Sequence, residues 1–172
     1  MGLPDGRSVM DSRPIADELE KLQPEPSLRL DNGYTDRAQG AVGKTIVPLL
    51  PEILPKVPKV LLTDASVGYF EETRKAAFGM SLSAFGQSEK SGEAAWQGAE
   101  EGLKELKSLL NEDASGPFVE GQVPSYADII IASFLEFTQR TDIAVFERIT
   151  GFDESFKQLH EAAKPWLQRN SH

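Results

Sequence analysis

Cysteine is absent from this 172-residue chain and histidine nearly so, with two. Without sulfur there is no disulfide framework, no thiolate nucleophile and no sulfur-ligated metal. His160 and His172, both near the C-terminal end, cannot make a zinc cage, so no metal site is expected. Long apolar runs are missing too. The longest, residues 129–132, falls far short of the roughly 20 residues that span a bilayer. No opening segment has the order of a secretory signal, Pro4 and Gly6 spoil a myristoylation signal, and no glycosylation sequon occurs. These absences predict a cytoplasmic protein. Bases are scarce relative to acids, 18 against 27, and the net charge of -9 disfavours nucleic acid and anionic membrane partners.

What remains fits one domain, or one domain plus a fragment, and a chain this long buries about 68 to 70% of its unfolded surface. Its organising stretch is PSYADIIIASFLEF, residues 124–137. Ser125 is placed to cap a helix, its hydroxyl accepting the Asp128 N–H while the Asp128 carboxylate reaches back to the Ser125 N–H. That is a capping box, and Asp128 also sits at the positive end of the helix dipole. Beyond it Ile129, Ile130, Ile131, Phe134, Leu135 and Phe137 leave almost no polar face, which predicts a core helix whose residues carry no chemistry.

Taken in order, Pro4-Asp5-Gly6 signals a turn, residues 7–10 an extended run, and Ser12 with Pro14 the start of a helix, with Ser12 as its cap. Four extended residues cannot stand alone, and nothing before them offers a ladder partner, so a segment is expected upstream. A connector with Pro24 and Pro26 leads to a helix over residues 34–47, which Pro48 and Pro51 should break. Within it GAVGKT ends like a phosphate-binding loop, but Ala38 stands where the first glycine is needed and no strand precedes it. The expectation is an ordinary helix with small residues for close packing. Residues 66–86 read as an amphipathic helix capped by Ser66, its aromatics mainly core, and residues 92–110 as another with Trp96 and Leu106 inside. There Glu100 and Lys104 attract, while Glu101 and Glu105 repel. A loop carrying Phe118, the capped helix and two further helices complete the chain.

DGRSVMDSRPIADELEKL, PSYADIIIASFL and YFEETRKAAFGMSL with Pro165-Trp166 follow one another in an order that resembles glutathione S-transferases, the fungal etherase-like members in particular. The resemblance implies an all-α C-terminal helical bundle over residues 31–172, preceded by a strand-helix remnant of a thioredoxin-like domain over residues 1–30. It implies that Asp11 and Ser12 hold the γ-glutamyl end of glutathione, the co-substrate. A helix N-terminus with a hydroxyl suits a carboxylate, and Asp11 can accept an ammonium. It further implies a small hydrophobic electrophile as acceptor, held on a wall of Tyr34, Ala38, Val42, Tyr69 and Arg74, and a homodimer. The expected activity is glutathione transfer or ether cleavage, in fungal secondary metabolism or detoxification. The family's first strands, its cis-proline and its thiol-activating Ser, Tyr or Cys have no counterpart here, so no catalytic residue is assigned. A non-catalytic binding or accessory module is the alternative, and a truncated reading of a longer enzyme, with residues 7–10 as an unpaired edge, is a third.

Overall fold

Residues 7–10 find their partner inside the chain, on the near side of the turn. Val9 N–H donates to Met1 O at 2.8 Å and the Met1 amine to Val9 O at 2.6 Å, while Leu3 N–H donates to Arg7 O at 2.8 Å. The expectation of an unpaired edge is therefore corrected: residues 1–3 supply the acceptors and donors, and Gly6, at φ 85°, makes the reversal possible. The pairing amounts to one isolated antiparallel bridge, Gly2 to Ser8. The computed structural model describes residues 1–4 and 6–167; Asp5 of the expected turn and His172 lie outside the described residues.

The rest is helical: α1 (Ser12–Leu22), α2 (Tyr34–Ile53), α3 (Val57–Val60), α4 (Asp64–Phe78), α5 (Leu82–Phe85), α6 (Glu93–Leu110), α7 (Tyr126–Thr141), α8 (Ile143–Thr150) and α9 (Glu154–Leu167). Among the described residues there is no sheet, as the all-α reading expects.

Two prolines expected to break α2 lie inside it. Each removes a backbone donor, from the carbonyls of Lys44 and Val47, and an interior proline costs about 3 kcal/mol. Packing outweighs that loss. Leu49 and Ile53 are fully buried, and Pro48 lies so close to α6 that a Cβ on Gly98 would meet its Cβ at 2.9 Å. α2 and α6 form the most extensive helix pair of the fold. The small residue their contact requires is Gly102, where a Cβ would stand 2.4 Å from Thr45 Oγ1 and 2.8 Å from Ala41 O. Gly40 and Gly43, the glycines of GAVGKT, face open space. Lys44 of that stretch donates to Glu101 at 2.9 Å and Glu105 at 2.5 Å. The two acids expected to repel are thus bridged by a cation from the neighbouring helix.

The single helix expected over residues 66–86 is divided by Gly79, at φ 71°, into α4 and α5, and the caps are Thr63 and Ser81 in place of Ser66. α4 buries no residue completely, but Phe70 and Phe78 pack half-buried against the core as expected of its aromatics, and only Tyr69 stands exposed. Trp96 is half-buried at the surface, with the Arg148 guanidinium 4.3 Å over its ring.

α7 packs on α2, α8 and α9. Ile131, Phe134 and Leu135 are buried, although Ile129 is more than a third exposed. Its capping box forms, with Asp128 Oδ2 accepting the Ser125 N–H at 2.7 Å and the Ser125 hydroxyl at 2.8 Å. The other oxygen, Oδ1, accepts the Val119 N–H at 2.7 Å and so ties the preceding loop to the helix. Behind α7, buried His160 on α9 meets Glu136 at 3.0 Å.

Candidate functional site

The start of α1 combines backbone strain with side chains that have no structural task. Asp11 stands at the N-cap with φ 68° and ψ 147°, and its carboxylate makes no capping bond. Ser12, expected as the cap, is the first helical residue instead. A non-glycine residue in that region of the map costs about 1 to 3 kcal/mol and persists where surrounding structure or function imposes it. Both residues are exposed, and among the described residues neither side chain has a hydrogen-bond partner. Pro14 removes one donor from the first turn, leaving the N–H groups of Ser12 and Arg13 directed outward at the positive end of the helix.

Arg13 anchors this end. Its Nε donates to Asp17 at 3.0 Å, and its terminal nitrogens lie 3.4 Å from Asp31 and 4.0 Å from Asp36. The bond to Asp17 raises the guanidinium above its ordinary value, against a smaller effect of burial, so it stays charged throughout. Sequence reading passed over this cluster, although Arg13 and Asp17 at i,i+4 were a legible signal. Asp31 lies in the linker and Asp36 in the first turn of α2, so the cluster joins the head of α1 to the head of α2. Glu20 secures the other end of α1 by accepting from Ser27 Oγ at 2.5 Å and Leu28 N at 2.7 Å, and Leu28 O receives the N–H of Tyr126 at the start of α7.

Of the five expected wall residues, Tyr34, Ala38 and Val42 recur at every fourth position of α2, and Tyr69 and Arg74 lie on α4. Tyr34 is half-buried at the head of α2, where its N–H is taken by Asn32 Oδ1 at 3.0 Å and the Arg37 guanidinium lies 5.4 Å over its ring. Ala38 is fully buried in the core and presents no surface to a ligand, so it is withdrawn from the wall. Val42 packs half-buried against that core. Tyr69 is 76% exposed on α4, and Arg74, on the same helix, holds its guanidinium 4.6 Å over Phe70. A polar cleft of about 660 Å³ lies beside the Arg13 cluster, between α1 and the linker, with Asp17, Glu20, Arg29 and Asn32 on its walls. An apolar cavity of about 430 Å³ lies further along α2, against α4, α5 and α6.

Chemically, outward N–H groups, a hydroxyl and an acceptor carboxylate within two residues suit a ligand end that carries both a carboxylate and an ammonium. Among the described residues, no helix is long and apolar enough to cross a membrane.

Residues 36–166 match the family model described as glutathione S-transferase, C-terminal domain. The chain is 33% identical over 171 residues to the glutathione S-transferase-like protein ustS of Aspergillus flavus, an alignment covering 94% of this chain and 62% of that protein. It thus spans less than two thirds of that relative's length. Among solved structures it is similar to glutathione transferase GSTFuA3 from Phanerochaete chrysosporium, with a TM-score of 0.77 and 21% identity over 99% of this chain and 76% of that one. It is equally similar to the glutathione S-transferase CsGST63524 of Ceriporiopsis subvermispora, solved in complex with glutathione, with a TM-score of 0.78 and 21% identity over 99% and 72% of the two chains. At that identity the two structures establish a common fold.

Proposed function

Because the chain belongs to the glutathione S-transferase family, we propose that it binds glutathione by the γ-glutamyl end at Asp11 and Ser12 and presents it to a small hydrophobic electrophile. The observation that carries this reading is the strained, uncapped Asp11 at the head of α1, with two side chains and two backbone donors unspent. The ligand's carboxylate pairs with the Ser12 hydroxyl and the open N–H groups, and its ammonium with Asp11. When bound, glutathione supplies a sulfur nucleophile. In this reading residues 1–30 carry the glutathione end and residues 31–172 the acceptor side, with Tyr34, Val42, Tyr69 and Arg74 as wall candidates. The reaction is conjugation or ether cleavage in secondary metabolism or detoxification. The setting is cytoplasmic and the assembly a homodimer, which sedimentation at two protein concentrations tests.

A second reading, a non-catalytic glutathione-binding module, is favoured by one observation. Arg13, the cation beside Ser12, is already engaged by Asp17, Asp31 and Asp36 and so is not free to lower a thiol pKa. Two measurements on the purified chain separate the readings. Calorimetry should show glutathione binding that disappears in Ser12→Ala, and absence of heat in the unaltered chain refutes both. Given binding, turnover of a generic electrophile above the uncatalysed rate selects the enzyme, and no excess rate selects the module.

A further inference from the structure

The linker between α1 and α2 hangs from the loop before α7 and from the first residue of α7 itself. Leu28 O accepts the Tyr126 N–H at 2.8 Å, Arg29 Nε lies 3.4 Å from Glu120 Oε2, and Asn32 Nδ2 donates to that same oxygen at 2.6 Å, across 88 positions of sequence. The last contact is the shortest, and Glu120 is firmly mounted to make it. Its neighbour Val119 is fully buried with its N–H on Asp128, and Phe118 and Gly121 exchange N–H···O bonds of 3.0 Å on either side of the pair. The Glu120 side chain is itself only 18% exposed. Asn32 spends its amide in two directions. Its Oδ1 accepts the Tyr34 N–H at 3.0 Å, one of the donors that the head of α2 leaves open, because Gly33 at the N-cap has no side chain to offer. A carboxylate only accepts, so Glu120 takes the NH2 end of the amide and thereby turns the oxygen toward Tyr34. Asp31, the preceding residue, bonds Arg13 at 3.4 Å, next to Ser12. The Asp31-Asn32 pair therefore joins the head of α1 to the head of α2.

We propose that Glu120 is a positioning residue. By orienting the Asn32 amide it holds the first turn of α2, and the Tyr34 ring with it, in register with the Asp11 and Ser12 end of α1. What the register serves rests on the glutathione reading, in which it aligns the acceptor wall at Tyr34 with a ligand held at α1. The register itself rests on the contacts alone. Without the Glu120 carboxylate the Asn32 amide turns about its own bond and the Tyr34 N–H loses its acceptor, while Arg29, in the left-handed region at φ 54°, loses its anchor.

The test is residue-resolved amide hydrogen exchange of the purified chain by NMR. In Glu120→Ala, exchange at Tyr34 should quicken about tenfold or more, as for loss of a hydrogen bond to a charged group, while Leu106, fully buried on α6, keeps its rate. A general loss of stability quickens both together. Adding Asn32→Asp to Glu120→Ala should restore the protection of Tyr34, because both oxygens of a carboxylate accept and no orienting partner is needed. Glu120→Met, which keeps the bulk of the side chain without an acceptor, takes the place of Glu120→Ala if circular dichroism shows that the alanine variant does not fold. With glutathione and a generic electrophile, Glu120→Ala should lower kcat about tenfold, within the ~100-fold that a misplacement of ~1 Å costs, and leave glutathione affinity unchanged. Absence of glutathione binding in the unaltered chain refutes the glutathione reading, and the exchange rates then decide by themselves whether Glu120 positions the linker. Exchange at Tyr34 that is unchanged in Glu120→Ala or quickens only in step with Leu106, no recovery on adding Asn32→Asp, or an unchanged kcat in an active chain overturns the proposal.

Discussion

Asp11 holds a backbone conformation that glycine alone adopts freely, and it does so without capping the helix it begins. If the strain serves ligand binding, relieving it should separate stability from affinity. Asp11→Gly is expected to raise the unfolding free energy by about 1 kcal/mol, part of the ~1 to 3 kcal/mol of strain being offset by glycine's greater freedom in the unfolded chain. Glutathione affinity should fall at least tenfold through loss of a charged partner. Thermal denaturation and calorimetry check the two effects, and a less stable variant would mean that Asp11 serves the fold. Ser125 and Asp128 are the converse case, with every bond spent on structure. Asp128→Ala leaves the N–H groups of Val119 and Ser125 without their acceptor and should be destabilising by about 2 to 4 kcal/mol, more than the ~1 kcal/mol expected for Ser125→Ala. Urea titration of the two variants ranks them.

Between elements, the α2–α6 contact shows how position decides what a small residue does. Gly102→Ala forces a methyl into the Thr45 hydroxyl and backbone nitrogen and the Ala41 carbonyl, on two buried residues, and should be destabilising by about 1 to 3 kcal/mol. Gly40→Ala meets nothing within 4 Å in the same helix pair. It should be stabilising by about 0.5 to 1 kcal/mol, because alanine has less freedom to lose and is the better helix former. Chemical denaturation of both variants gives opposite signs if the packing is as described. The GAVGKT stretch was legible as helix because its loop glycine is missing, but which glycine the packing needs was not, since that depends on a residue of α6 more than fifty positions away.

For the molecule as a whole, the ion pairs set how stability changes in acid. The hydrogen bond from Lys107, helped by Ser155 and Asn111, holds the Asp153 carboxyl well below the usual carboxylate range despite some burial. Burial acts to raise Glu136, but the bonds from Arg140 and His160 outweigh it, and its pKa too is lowered. A carboxyl lowered in the folded state contributes stability that is present above its unfolded value and lost as pH falls through the folded one. Asp128 runs the other way. Burial raises it against the bonds from Val119 and Ser125, so its contribution is full below the unfolded value and lost as pH rises through the raised one. The melting temperature should therefore fall as pH drops below about 4, and Asp153→Asn should flatten that fall. An unchanged acid limb in the variant would show that Asp153 does not carry it.

The pattern of apolar residues, the capping box and the turn signals determined by themselves that this chain is helical, which helix is central, and that Asp11 and Ser12 open a helix. Those properties are local, since propensity, capping and periodicity act within a few residues. Only the tertiary structure decided that residues 1–3 pair with residues 7–9, that α2 continues through two prolines, that Ala38 is core and Tyr69 is exposed, and that Phe78, Phe85 and Lys90 border one cavity. Each of these outcomes depends on what a distant segment brings to the same place. A proline is tolerated in a helix, and an alanine buried or left open, according to the surface packed against it.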